Sequence, residues 1–152
     1  MKTLANPTER AEILHRLQTI VPTSQRRWGS MSAHQMLCHV TDVFRSGMGE
    51  KEVSLAPRAI PRHPLRWVAL WLPFSWPQGF PARPEWDQKI GGTAPVDFER
   101  DRHEVLKILG RFTGQPLTFA WRAHAIFGHM SHAEWQRLGY RHMDHHLRQF
   151  GA

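Results

Sequence analysis

Cysteine is almost missing from this chain, which carries one, Cys38, in 152 residues. A lone thiol forms no intramolecular disulfide, and such usage fits a reducing compartment. Long apolar runs are missing as well. No stretch approaches the roughly 20 apolar residues that a bilayer-spanning helix needs. The opening Met1-Lys-Thr-Leu-Ala-Asn-Pro7 lacks the apolar core of a secretory signal. The expectation is a cytoplasmic protein with no membrane span. Blocks of like charge are also missing, none exceeding three residues. Lys and Arg outnumber Asp and Glu by 20 to 13, giving +7 and enough attraction for nonspecific contact with nucleic acid or an anionic surface. Yet the basic residues are scattered, as at Arg26, Arg27, Arg66, Arg100, Arg141 and Arg148. No helix-turn-helix, zinc-finger or RNA-binding signature accompanies them, so no specific nucleic-acid partner is expected.

What the chain does have is the punctuation of helices. Asn6 suits a cap, Pro7 the first helical position and Glu9 the first turn, so a first helix should run from about Pro7 to Ile20, with Ile13, Leu14 and Leu17 inward. Ser32 with Gln35 three residues on reads as a capping box, and Met36, Val40, Val43 and Phe44 follow at helical spacing. A third helix should start near Asp97 and end near Phe112, on the stripe Phe98, Val105, Leu106, Leu109 and Phe112. Leu117 to Phe127 reads as a short extended piece. Ser131 with Glu134 is a second capping box, opening a last helix that reaches Phe150. With 41% hydrophobic residues the chain can fill one core, so residues 1–152 should form a single all-α domain, a four-helix bundle with a long connection between its second and third helices.

The inward stripe of the last helix is unusual. Trp135, Leu138, Gly139, His142, His145, His146 and Gln149 fall on or beside one face, so imidazoles replace the leucines a bundle would use. Two histidines four residues apart, His142 and His146, can converge on one cation. A solvated, weakly basic helix end would account for the same residues, since the chain holds 11 histidines and His suits a helix C-terminus. His39 lies between Met36 and Val43 on the inner face of the second helix. Alone it would read as a hydrogen-bonded core residue; beside a second inward histidine helix it reads as a third ligand. Cys38, next to it, diverges by about 100 degrees on a helix and should be a buried thiol rather than a nucleophile.

The connection from Glu50 to Gly92 holds Pro57, Pro61, Pro64, Pro73, Pro77, Pro81 and Pro84, which forbid a long helix but allow a short one from His63 to Leu72. It is also greasy. Leu65, Trp67, Leu70, Trp71, Leu72, Phe74 and Trp76 carry too much apolar area to lie in water. They should pack on the bundle, wall a pocket, form a homodimer surface or, last in order, touch a membrane.

Two blocks carry a resemblance. Trp28-Gly29-x-Met31-Ser32-x-His34-Gln35-Met36-Leu37-x-His39, together with Trp135-x-x-Leu138-x-x-x-His142-x-x-His145-His146-x-x-Gln149-Phe150-Gly151, is similar to the bacterial DinB-like superfamily, in a branch of unknown function. Thr93-Ala94-Pro95 before the third helix fits it too, and residues 53–92 fit more loosely. The resemblance implies a four-helix bundle holding a divalent ion through His39, His142 and His146; the affinity order at imidazole ligands favours Ni, Cu and Zn, so Zn or Ni is the expected ion. It further implies a small-molecule substrate or a low-molecular-weight thiol, handled by metal-dependent thiol transfer or hydrolysis. Three imidazoles leave a coordination position open, as catalytic sites do. Asp42, one turn beyond His39, and His145 are the candidates for orienting a ligand or moving a proton. The competing reading is non-enzymatic, a metal-binding or dimerising scaffold that needs the same ligands.

Overall fold

A computed structural model of the chain describes residues 1–57 and 61–152. Part of the connection named above, residues 58–60, lies outside the described residues. The described residues form five α-helices, one short 3-10 turn and no β-strand. These are α1 (Pro7–Gln18), α2 (Ala33–Met48), α3 (Arg62–Trp71), the turn Pro84–Trp86, α4 (Phe98–Thr113) and α5 (His132–Gln149).

Each long helix starts where its side chains satisfy the orphan amides of a first turn. Asn6 accepts from Thr8 and Glu9, Asp97 accepts from Arg100, and both capping boxes, Ser32 with Gln35 and Ser131 with Glu134, close reciprocally. The first helix stops at Gln18, short of Ile20, because the Thr19 backbone N–H and hydroxyl both donate to Arg16 O. The expected four helices are five, because the proline-rich connection contains α3. Pro64 sits in its first turn, where a missing N–H costs nothing, and Pro73 follows its end. The extended piece expected from Leu117 to Phe127 does not form a strand. Its backbone makes one isolated bridge, His124 with Gly128, while Phe119 and Trp121 pack back onto the core. Apolar side chains hold this segment, so it needs no ladder.

The buried centre is α2, twelve of whose sixteen residues are buried. It packs against α4, α5 and the 3-10 turn; α1 and α3 lie against α5. Phe44 of α2 meets Phe112 of α4 edge-on at 4.7 Å between ring centroids. The two rings reach each other across Gly139 of α5, where a Cβ would come within 2.7 Å of Leu4 and 3.1 Å of Phe44. Gly47 is required for a similar reason: an added Cβ would stand 2.8 Å from the Trp135 indole. This packing places the inner face of α2 opposite the histidine stripe of α5. No described helix is long and apolar enough to cross a membrane.

Candidate metal centre

The register of α2 aims His39 at α5, and the i, i+4 spacing on α5 aims His142 and His146 at α2. The three rings converge. His39 Nε2 lies 3.1 Å from His142 Nε2, which lies 2.9 Å from His146 Nε2, and all three ligand atoms fall within 4.8 Å of one another. His39 and His146 are buried; His142 is half-buried. Burial holds all three imidazoles below their ordinary pKa, and for His142 and His146 the neighbouring imidazoles add to it. All three are therefore neutral near pH 7, the form that binds a cation.

Hydrogen bonding on the far side of two rings decides where their protons are. His39 Nδ1 is 2.8 Å from the Trp86 carbonyl, which can only accept, so Nδ1 carries the proton and Nε2 a lone pair. His146 Nδ1 is 2.9 Å from Gln149 Oε1. The amide of Gln149 cannot be reversed, because its Nε2 donates to the Trp28 carbonyl at 2.9 Å. His146 therefore also presents a lone pair. Between these two lone pairs stands His142 Nε2, which as a neutral ring has at most one proton to give. At least one of the two short contacts then sets a lone pair against a lone pair. A shared cation removes that conflict, and nitrogens about 2.0–2.1 Å from a tetrahedral ion stand roughly 3.4 Å apart, close to the spacing already present.

Gly29 keeps this clamp in place. It has φ +74 and an added Cβ would lie 2.7 Å from Gln149 Nε2, so the turn that brings the Trp28 carbonyl to Gln149 needs glycine. Gln149 was legible on the helix stripe, three residues from His146, but without a role. Trp86 gave no sequence signal, since its backbone carbonyl is what matters.

The histidines line a cavity of about 490 Å³. Its remaining walls are mostly apolar and come largely from the connection, including Leu65, Val68, Leu72, Phe74, Trp76 and Phe80. Of the uses expected for that segment, the structure shows two: Leu70 is buried in the core, and its neighbours wall the pocket. Trp28 and Trp86 also line the cavity, and among the described residues their buried indole N–H groups have no hydrogen-bond partner.

Asp42 and His145 sit differently. Asp42 is fully buried, accepts from the Thr93 backbone and hydroxyl at 2.7 Å each, and pairs with Lys51 at 2.9 Å. These contacts tie the Thr93 lead-in to α2, while the Trp86 carbonyl holds the His39 ring. His145 lines the cavity, edge-on to His146 at 5.1 Å and to Trp28 at 5.8 Å, and its ring makes no hydrogen bond to a described residue. Burial lowers its pKa.

Two further groups were not singled out from the sequence. His124 is buried on the cavity wall against Trp86 and Phe127, and its Nδ1 accepts from the Ile126 and Phe127 amides at 3.2 Å each. His34, Cys38 and Asp101 also bring three donors together and could hold a metal ion. There, however, one carboxylate oxygen of Asp101 already accepts from His34 Nε2 at 2.7 Å, the Val96 amide at 3.0 Å and the Cys38 thiol at 3.6 Å. That group is satisfied as it stands; the three-histidine group is not. Burial first, then Asp101, pushes the Cys38 thiol up to about 12, so it stays protonated.

Comparison with known protein families, with curated proteins and with solved structures finds no match. The geometry therefore carries the functional argument.

Proposed function

We propose that the chain is a divalent-metal protein of the DinB-like kind. In this reading His39, His142 and His146 hold Zn or Ni, and the cavity presents a small molecule to that centre for thiol transfer or hydrolysis. The observation that carries the reading is the convergence of three Nε2 atoms that have at most one proton between them. A divalent ion bound there supplies Lewis acidity, which makes a water or a thiol nucleophilic at neutral pH.

The chain's own residues account for the rest. Trp86 O and Gln149 Oε1 keep the Nδ1 protons of His39 and His146 in place, which holds both Nε2 lone pairs toward the shared centre. Leu65, Val68, Phe74 and Trp76 exclude water from one side of a reacting molecule. The Trp28 and Trp86 indole N–H groups offer it donors. His145, with its ring nitrogens unengaged by described residues, is the group that takes or gives a proton at the cavity wall. A scaffold needs no such cavity, and a cavity that reaches the histidines favours chemistry on a ligand.

The test is metal binding by untagged protein. Dialysis against zinc or nickel is expected to load one ion per chain, and His39→Ala, His142→Ala and His146→Ala are each expected to abolish loading. Undiminished loading in any of the three would overturn the assignment.

A further inference from the structure

Six residues of the cavity wall, Trp28, Phe74, Ser75, Trp76, Arg141 and His145, also line a neighbouring cleft of about 400 Å³. The cleft has a different chemistry. Lys2, Arg27, Arg137, Arg141 and Arg148 line it against a single carboxylate, Asp144. Asp144 is already held by Arg16 at 2.7 Å, with Arg148 at 3.7 Å, and Lys2 is held by Glu12 at 2.5 Å. Among the described residues Arg27, Arg137 and Arg141 have no carboxylate within 4.0 Å.

Arg137 and Arg141 are positioned by neutral partners. The Arg137 guanidinium lies 4.0 Å over the Trp71 ring, and Arg141 donates to the Leu72 and Phe74 carbonyls at 2.6 and 2.5 Å. The Arg141 Nε–H is buried with no hydrogen-bond partner among the described residues. Cations fixed beside aromatic walls without counter-charge leave a focused positive potential. Arginine forks match planar or tetrahedral oxyanions, phosphate and carboxylate in particular. A purely apolar ligand would leave those guanidiniums uncompensated, and a bare anion would leave the aromatic wall and the cavity unused.

We propose that cleft and cavity take one amphipathic anion. Its phosphate or carboxylate end is held by Arg27 and Arg137 together with Arg148, which is exposed and only loosely paired with Asp144 at 3.7 Å, and its apolar body passes Trp76 to lie over the three histidines. The placement of the apolar end rests on the cavity being the small-molecule site; the anion end needs no metal.

The experiment is calorimetric titration of the full untagged chain, metal-free and zinc-loaded, with inorganic phosphate, 1-naphthol and 1-naphthyl phosphate at low salt. Naphthyl phosphate is expected to bind at least about tenfold more tightly than either half-ligand. The double variant Arg27→Gln/Arg148→Gln, at two exposed positions, is expected to lose that advantage while keeping its melting temperature and its affinity for 1-naphthol. Equal affinity for naphthol and naphthyl phosphate would overturn the proposal, as would an advantage untouched in the double variant. Capture by vesicles containing phosphatidic acid without binding of naphthyl phosphate would also overturn it, since the anion would then be a lipid headgroup. Zinc loading without naphthyl phosphate binding sinks this inference alone, whereas naphthyl phosphate binding without zinc loading sinks the metal reading and leaves this one standing.

Discussion

Replacing Gln149 by leucine tests the proton arrangement directly, because the residue touches no ion yet holds a ligand's tautomer. Its Oε1 accepts from His146 Nδ1 and its Nε2 donates to Trp28 O, both at 2.9 Å in a buried setting. Leucine removes both partners and leaves a buried ring N–H and a carbonyl unsatisfied, at about 1–3 kcal/mol each. The ring can relieve its half of that cost by moving its proton to Nε2, where His142 Nε2 waits at 2.9 Å to accept it. The lone pair that faced the shared centre is then gone. Loss of a partner that orients a metal-binding histidine lowers affinity about 10–100-fold, or roughly 1.4–2.7 kcal/mol. Gln149→Glu separates the two effects, since a carboxylate still accepts from His146 but cannot donate to Trp28. Zinc affinity measured by competition with a chromophoric chelator, alongside urea melts of the metal-free protein, gives both quantities. Gln149→Leu is expected to lose affinity and stability together, and Gln149→Glu to lose stability while keeping most of the affinity. If Gln149→Leu binds zinc as tightly as the parent, the tautomer argument is wrong.

Zinc at about 100 times its Kd should stabilise the folded chain by about 2.7 kcal/mol, a rise in Tm of roughly 5–10 °C. Thermal melts of His142→Ala should show no such rise, and a persisting one refutes the ligand set. Burial lowers the pKa of His124 to about 3, below an unfolded value near 6.5, so protons bind the unfolded chain first and the stability is present above pH 6.5 and lost as pH falls toward 3. Metal-free urea melts should decline over that window by up to about 1.4 kcal/mol per pH unit from this group, and His124→Gln should flatten the decline; an unchanged slope counts against it. Gly47→Ala should cost about 1–3 kcal/mol by forcing a methyl into the Trp135 indole, and an unmoved urea midpoint would show that the ring yields freely.

The histidine centre was legible because its determinants are local. A capping box fixes where a helix starts, and from that start the 3.6-residue repeat fixes which side chains share a face. Once Ser32 and Ser131 are caps, His39, His142 and His146 have directions, and the docking of α2 on α5 turns those directions into a cluster. By the same repeat His34, five residues before His39, lies about 140 degrees round the helix from it, and it points elsewhere, to Asp101 on α4. That pairing could not be read in advance, because it depends on how α2 and α4 dock and not on either pattern alone. The Trp86 carbonyl is the harder case. It reaches His39 across 47 positions of sequence, from a 3-10 turn at the end of the proline-rich connection. Side-chain periodicity carries no information about where a loop carbonyl ends, and each proline fixes φ locally without fixing the path of the chain. The cations of the second cleft were hidden for a related reason. Arg27 comes from the loop before α2 and Arg137, Arg141 and Arg148 from α5, so in sequence they look scattered, while α5 packing against that loop gathers them beside Trp76. Scattered charge in a sequence therefore argues against a charged segment, but it leaves open a charged site assembled by tertiary contact.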